Sequence, residues 1–440
     1  MELRQSPSTD MNLAKQLRGI LRSVRWKRIH DFGPDENSFP AGRAPALQDP
    51  SNIDLSVLAI DAEGQVFDAA NVVISRDQPR GLISRLDNDL NSTNITWQRW
   101  DQAQWDAAKP WISSSNDLPK KQHIKPQTGL NGDAIFMSPY PASLFKLPLA
   151  FFLLEDVSAG RLELKTIRRD LRDMLTISDN QATKELLKLT HENGRISAMN
   201  RRFYKLGLGT IQIKGTDQKT GYRWNPGSIN MTSMDTAKLL WLIQSDPSKD
   251  SLWDQPNGSK AKSKLNKKSQ KTLLRHLSNQ AFNETLSTAN FGVGGPDEES
   301  TPPANIKPGI PNRVPEQWID DITGFADFNA DGIRINYGVD VRNYNKSVAD
   351  KTFLHKTGIT YNFGSDAGIV EQADQPNKPR YIISFFSNLG FRYVDAAFAD
   401  RKSYPFYDDP GPIAHTQEIP HLGNQVDQLM DAILANQRGS

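Results

Sequence analysis

The chain has 440 residues, of which 37% are hydrophobic and 24% charged, and its formal net charge is +2. This composition fits a folded protein of one large or two ordinary domains, and the small net charge gives no reason to expect nucleic acid as a partner. Because the chain contains no cysteine, disulfides, thiolate metal sites and cysteine nucleophiles are excluded.

Residues 1–50 are interpreted as an N-terminal extension that carries a basic amphipathic helix. Leu13, Leu17 and Leu21 recur at helical spacing, with lysines and arginines between them. Such a helix can lie on a membrane surface, or it can dock its apolar side on the rest of the protein, which is the interpretation that we favour. The segment from Pro34 to Pro50 is typical of a linker.

The N-terminal stretch also bears on where the protein resides. No apolar run is long enough to span a membrane, and the first thirty residues lack the apolar centre of a secretory signal. The sequence therefore predicts either a cytoplasmic protein or one whose targeting segment is not part of this chain.

The next recognisable elements are two short apolar runs at residues 54–61 and 65–68, separated by a turn, which predict a β-hairpin. Three more strands are predicted near the C-terminus, at residues 352–360, 366–371 and 381–387, and a closing amphipathic helix follows at 425–434. Strands at both ends with helical patterns between them predict one sheet assembled from distant chain segments.

A turn followed by a buried helix is predicted from Pro141 to Glu155, where the sequence becomes almost wholly apolar. Ser143 and Lys146 lie three residues apart and so share one face of the first helical turn. Burial lowers the pKa of a lysine, and a neutral amine can take the proton of a serine hydroxyl. The Ser-x-x-Lys pattern alone is weak, because it recurs at Ser259 in a polar run, and Ser143 could simply cap a helix.

Further helices are predicted at residues 164–174, 195–210, 231–243 and 270–286. Another helix opens at Ser178-Asp179-Asn180, a set of residues suited to a capped helix start.

The segment from Asp327 to Gly332 has the spacing that begins a calcium-binding loop, but Gly338 stands where the loop needs a glutamate. We interpret it as a turn before a strand at 333–341, and we expect no metal.

Three short motifs stand in order: Ser143-x-x-Lys146, Ser178-Asp179-Asn180 and Lys356-Thr357-Gly358. Lys-Thr-Gly also occurs at Lys219, but there it lies in a polar loop. The ordered set resembles the penicillin-recognising serine hydrolases, most closely the class A β-lactamases. The resemblance implies an α+β fold of three α/β/α layers, with an antiparallel sheet flanked by helices beside an all-helical subdomain. It covers residues 51–440 as one domain with insertions at about 74–133 and 245–320.

The resemblance implies four catalytic positions. Ser143 would be the acylated nucleophile, Lys146 its base or proton relay, and Ser178 the donor that protonates the leaving nitrogen. The backbone N–H groups of Ser143 and Ile359 would form the oxyanion hole.

The resemblance also implies the residues that bind substrate. Asn180 would hold the amide carbonyl of the substrate and orient Lys146, while Lys356 and Thr357 would bind its carboxylate. Gly358 of the same motif and Asn225 would also belong to the substrate-binding part of the cleft. No cofactor is implied, and the partner would be a small-molecule β-lactam or D-amino-acid amide or ester.

Two features depart from the family pattern. Where the family has a glutamate that activates the deacylating water, this chain has Asn225, which cannot accept a proton at neutral pH. Asp217, Asp235 or Lys146 could replace that base. The spacing from Ser143 to Ser178 is also short for the family, which predicts a wider entrance to the cleft.

The sequence therefore predicts a β-lactamase-like serine hydrolase that forms an acyl-enzyme and deacylates slowly. The alternatives are a D,D-peptidase and a catalytically impaired penicillin-binding module. By resemblance the protein would be extracytoplasmic, that is periplasmic or secreted, with the cytoplasm as the alternative.

Overall fold

The computed structural model describes residues 12–26, 29, 47, 50–106, 124, 134–246, 248, 250–293, 306–390 and 417–438. The predicted linker lies outside these residues apart from Leu47 and Pro50. No helix within them combines the length and the apolar character needed to cross a bilayer.

Within these residues, one antiparallel sheet forms the centre of the fold. Its strands are β1 (Ile53–Ile60), β2 (Val66–Ile74), β3 (Leu82–Ile83), β10 (Lys351–Ile359), β11 (Gly364–Gln372) and β12 (Pro379–Ser387), in the order β10-β11-β12-β1-β2-β3. Ile53 on β1 pairs with Ser387 on β12, so the two ends of the chain meet in the middle of the sheet. The predicted hairpin and the sheet built from distant segments are both present.

Helices cover both faces of this sheet. Ser56 on β1 bonds through its hydroxyl to Ser233, at 2.7 Å, at the start of α7 (Ser233–Gln244). Tyr381, which pairs with Ala59, donates instead to Asp427 on α10 (Glu418–Arg438). Side chains three residues apart on a strand point to opposite faces, so α7 and α10 lie on opposite sides of the sheet. The predicted three-layer α+β fold is confirmed.

The all-helical region contains the middle of the chain. It comprises α3 (Lys146–Ser158), α4 (Leu164–Thr176), α5 (Asn180–His191) and α6 (Arg195–Lys205), packed with α8 (Lys267–Ser278). The helix predicted at 270–286 is therefore shorter and starts earlier. Its N-cap Asn266 accepts a hydrogen bond from the Ser269 amide, and beyond Ser278 the chain turns into the core, where Leu286 bonds to Asp366 on β11.

The N-terminal helix α1 (Leu13–Ser23) docks on the body of the protein. Its leucines 13, 17 and 21 are buried, and the helix packs against β2 and α10. Lys15 and Arg22 remain exposed on its outer side. The structure thus has the helix docked on the protein, as favoured from the sequence. Its apolar face could enter a membrane only if the helix came away from β2 and α10. Contact of its basic face with a membrane stays a prediction.

Shorter elements complete the described chain. They are β4 (Ile95–Gln98) paired in parallel with β5 (Ala134–Met137), α2 (Gln102–Asp106), β6 (Gln212–Ile213) with β7 (Ile229–Asn230), the hairpin of β8 (Phe325–Ala330) and β9 (Ile333–Asp340), and α9 (Arg342–Ser347). The segment with the calcium-loop spacing is thus β8 and the tip of a hairpin, and the predicted strand at 333–341 corresponds to β9.

Candidate active site

Ser143 lies on a 3₁₀ turn (Ala142–Phe145) that runs directly into α3. The residue before it, Ala142, has a φ of +48°, a conformation that costs energy for a residue with a side chain. Within the described part of the chain, the Ser143 hydroxyl makes no hydrogen bond, and the residue is half-buried on the wall of a cavity. The hydroxyl is therefore free to react with a molecule in that cavity.

The end of β10 packs directly against this turn. A Cβ atom added at Gly358 would lie 2.3 Å from the Pro141 carbonyl oxygen and 2.7 Å from the Leu144 nitrogen. Only glycine allows this approach, so Gly358 provides close packing of backbone on backbone, and its part in substrate binding stays a prediction. This packing brings Ile359, the next residue, to the same cavity wall as Ser143.

Lys146, the first residue of α3, is fully buried behind Ser143. Its amine donates to the Ser178 carbonyl oxygen at 2.5 Å, to Asn180 Oδ1 at 2.8 Å and to Ser178 Oγ at 3.2 Å. Burial lowers the pKa of Lys146 to about 7, although the carboxylates of Asp331 and Asp179 oppose the shift. The predicted contact with the Ser143 hydroxyl is not formed, because these three acceptors use the donors of the amine.

Ser178 is shared by two lysines. Its hydroxyl lies 3.0 Å from the Lys356 amine as well as 3.2 Å from that of Lys146. Its φ of +56° holds it in the left-handed region, directly before Asp179, which caps α5 by accepting from the Ala182 amide. The strained backbone thus holds the hydroxyl between both amines, as a proton-transferring group requires.

Lys356 is also fully buried and donates to the Thr357 carbonyl oxygen at 2.8 Å. Burial lowers its pKa well below the ordinary value; the neighbouring Lys146 lowers it further, and Asp366 opposes the shift. Two buried amines so close together favour the neutral form of at least one of them.

The cavity in front of these groups has a volume of about 570 Å³. Ser143, Asn180 and Ile359 lie on its wall. The other predicted residues, Lys146, Ser178, Lys356, Thr357 and Gly358, are not among the lining residues, and the two lysines, Thr357 and Gly358 are buried. The structure therefore brings eight of the nine predicted site residues together at one place, three of them exposed to a ligand.

Asn225 is the exception: the sequence predicts it in the cleft, but the structure places its side chain outside the cavity. Its side chain is exposed and does not line the cavity, while its carbonyl oxygen accepts from the Ser228 and Ile229 amides. Arg223 has a φ of +68°, and this turn of the backbone directs Trp224 inwards instead.

Trp224 lines the cavity, and its ring centroid lies 5.8 Å from the Lys146 amine and 5.5 Å from the Phe145 ring. The indole cannot act as a base. Nothing in the amino-acid sequence points to this position of Trp224 beyond its place beside Asn225.

The two aspartates that could replace the missing base are engaged elsewhere. Asp217 lies on an exposed turn, where hydrogen bonds from Thr220 lower its pKa. Asp235 is buried and accepts from the amide and hydroxyl of Thr210. Neither residue lines the cavity, so neither can activate water there.

Asp331 is a site residue that the sequence analysis missed. It belongs to the tip of the β8–β9 hairpin, yet it lines the cavity and accepts two hydrogen bonds from Asn180. The signal was present in the Asp331-Gly332 pair between two alternating runs, which is typical of a hairpin turn. Its contact with a residue 151 positions away could not be read from local sequence.

Searches for relatives give a finding in one of three comparisons. No family model matches the chain, and no curated protein matches it. Among solved structures, it is similar to β-lactamases and to PBP-A.

PBP-A is 18% identical, with a TM-score of 0.37 over 68% of this chain and 86% of that chain. A β-lactamase from Chitinophaga pinensis DSM 2588 is 17% identical, with a TM-score of 0.36 over 67% and 86%. A β-lactamase from Streptosporangium roseum is 12% identical, with a TM-score of 0.40 over 92% and 96%. Identities and TM-scores this low carry no information about the chemistry of the cleft.

Proposed function

We propose that the protein is a serine hydrolase of the penicillin-recognising type, acylated at Ser143 by β-lactams or related small amides and esters. The observation that carries the proposal is the free Ser143 hydroxyl on a cavity wall, in front of a buried amine whose pKa is about 7. A nucleophile with a nearby base of matched pKa is the arrangement that acyl transfer needs.

In the acylation step, Ser143 Oγ attacks the carbonyl carbon of the substrate and gives its proton to the neutral amine of Lys146. The N–H groups of Ser143 and Ile359 stabilise the negative oxygen that forms. The carbon–nitrogen bond then breaks, and the leaving nitrogen takes a proton through Ser178, which contacts both lysines. Hydrogen bonds of a free enzyme often tighten only in the complex, so the Lys146 amine would turn to Ser143 when substrate binds.

Substrate binding would use the groups around this centre. Asn180 Oδ1 accepts from Lys146, which leaves its Nδ2 to donate to an amide carbonyl of the substrate. Lys356 and Thr357 would attract a substrate carboxylate from behind Ser178.

Deacylation would be slow, because Trp224 faces Lys146 and Asn225 points away from the cavity. Loss of one general base typically costs about 10²–10⁴-fold in rate. Slow deacylation also fits two further candidate functions. One is a D,D-peptidase that passes the acyl group to an amine, and the other is a binding module that retains the acyl group.

Intact-protein mass spectrometry after incubation with benzylpenicillin tests the proposal. We expect the wild-type protein to gain one penicilloyl group and the Ser143→Ala variant to gain none, since the variant lacks the attacking oxygen. Ser259→Ala is the matched control, because Ser259 begins the second Ser-x-x-Lys pattern but lies exposed outside the cavity; it should be labelled like the wild type. Labelling that persists in Ser143→Ala, or a wild-type protein that is never labelled, would contradict the proposal.

A further inference from the structure

The hairpin of β8 and β9 places a carboxylate in the cavity at a defined position. Its two-residue turn is Asp331-Gly332, with φ values of +50° and +79°. Positive φ at both turn residues matches the twist of the strands, so the turn is the favoured one for a short hairpin. Asp331 therefore belongs to a regular hairpin turn and not to an irregular loop.

The hairpin is anchored to the body of the protein by aromatic rings. Phe328 on β8 packs edge-to-face on Phe282 at 5.0 Å between ring centroids and also contacts Trp318 at 5.7 Å. Tyr337 on β9 packs on Phe291 at 5.0 Å and donates to Glu284. These contacts hold both strands, and they fix the position of the tip over the site.

The tip binds the residue that would hold the substrate amide. Asp331 Oδ1 accepts from the Asn180 backbone amide and Oδ2 from Asn180 Nδ2, both at 2.6 Å. Asn180 Oδ1 is used by Lys146, so Nδ2 is the remaining polar group of that side chain. In the free protein one N–H of the amide-binding Nδ2 is thus paired with a carboxylate, and the second N–H is left for a substrate carbonyl.

The charged groups around the cavity show which of them could pair with a charged substrate. Asp179 lines the cavity, but its carboxylate caps α5. Lys184 lines the cavity too, with its amine 4.7 Å from the centre of the Tyr222 ring. A neutral substrate that accepts from the second N–H of Asn180 Nδ2 would make no contact of its own with the Asp331 carboxylate, whereas an ammonium group beside its carbonyl would pair with that carboxylate.

We propose that Asp331 determines specificity: the cleft favours substrates whose acyl side chain carries an ammonium group beside the amide carbonyl. The carbonyl accepts from the second N–H of Asn180 Nδ2, and the ammonium group pairs with the Asp331 carboxylate that lies beside it. The proposal rests on the proposed function, since it concerns the substrates that acylate Ser143.

Benzylpenicillin and ampicillin form a matched pair of probes, because ampicillin differs only by an amino group next to the side-chain carbonyl. The measurement is the second-order rate constant of acylation for each, taken from mass spectra over time. Asp331→Asn removes the charge but keeps the turn, because asparagine before glycine is favoured in this hairpin type. Asp331→Gly is a second variant that tolerates the positive φ. Asp321→Asn is the control, an equal loss of charge at an exposed position that does not line the cavity.

The wild-type protein and Asp321→Asn should react faster with ampicillin than with benzylpenicillin. In Asp331→Asn and Asp331→Gly, the ratio of the two rate constants should fall about fivefold, as expected for one partly solvated ion pair. An unchanged ratio in both Asp331 variants would overturn the role of Asp331 alone. Failure of both probes to acylate the wild-type protein would instead refute the proposed function.

Discussion

Replacing Lys146 with methionine is expected to slow acylation by benzylpenicillin about 10²–10⁴-fold, the usual effect of removing a general base. Lys146 is wholly buried at the start of α3, and methionine has a similar length without a charge. The variant should therefore fold while losing the group that we propose accepts the Ser143 proton.

The same residue predicts how acylation depends on pH. Burial lowers the pKa of Lys146 to about 7, so most of the amine is protonated at pH 6 and most is neutral at pH 8. Only the neutral amine can take a proton, so the acylation rate should rise with pH and reach half of its maximum near pH 7. The residual rate of Lys146→Met should lack this inflection.

Lys188→Met is the matched control for these measurements. Lys188 lies on α5 and pairs with Glu185 on the surface, outside the cavity. Its loss removes the same charge and should leave both the rate and its pH profile unchanged. A Lys146→Met protein that acylates at the wild-type rate would show that another group accepts the proton.

Replacing Asp366 with asparagine is expected to lower the free energy of unfolding by about 1–3 kcal/mol, the usual cost of removing one partner of a buried hydrogen bond. Asp366 on β11 and His355 on β10 are both wholly buried, and their side chains are 2.8 Å apart. They lie next to the Lys-Thr-Gly motif, so the pair supports the strand that carries Lys356.

The orientation of the ring follows from a chain of hydrogen bonds. Asn312 Oδ1 accepts from the Phe353 amide, which makes Asn312 Nδ2 the donor to Asn283 Oδ1 at 2.5 Å. Asn283 Nδ2 donates to the Gln280 carbonyl oxygen, so Asn283 Oδ1 must also be the acceptor that faces His355 Nε2 at 3.0 Å. Nε2 therefore donates, and Nδ1 is the ring nitrogen that lies against the Asp366 carboxyl group, whose other oxygen accepts from the Leu286 amide.

Denaturant unfolding of Asp366→Asn beside Glu185→Gln measures this effect. Glu185 forms an exposed pair with Lys188, and its loss should cost less than about 1 kcal/mol. Equal losses in the free energy of unfolding would contradict the expectation that the buried pair stabilises the fold more than the exposed pair does.

Much of the fold could be predicted because its signals are local. The Asp179 cap, the apolar run after Ser143 and the alternating C-terminal strands each predict their element from neighbouring residues, and the structure has all three. Helix ends were less certain: α8 stops at Ser278 because the following segment is needed as a partner for β11.

The finer parts of the site depend on contacts that sequence spacing does not contain. Trp224, and not Asn225, faces Lys146 because Arg223 adopts a positive φ. Asp331 contacts Asn180 because packed aromatic rings hold the β8–β9 hairpin, which comes from a distant part of the chain, over the site. Both residues are set by tertiary packing, and both change the expected chemistry: one puts an indole beside Lys146, and the other adds a charge.

Rapid mixing of the protein with an excess of a chromogenic cephalosporin tests the central claim most directly. If Ser143 is acylated readily and Trp224 stands where a base would be needed, colour should appear in a burst of one equivalent per protein molecule. A steady rate at least about a hundredfold slower should follow. Rapid multiple turnover without a burst would contradict the account, because another group of the site, such as Asp331 or Lys146, would then have to activate the deacylating water.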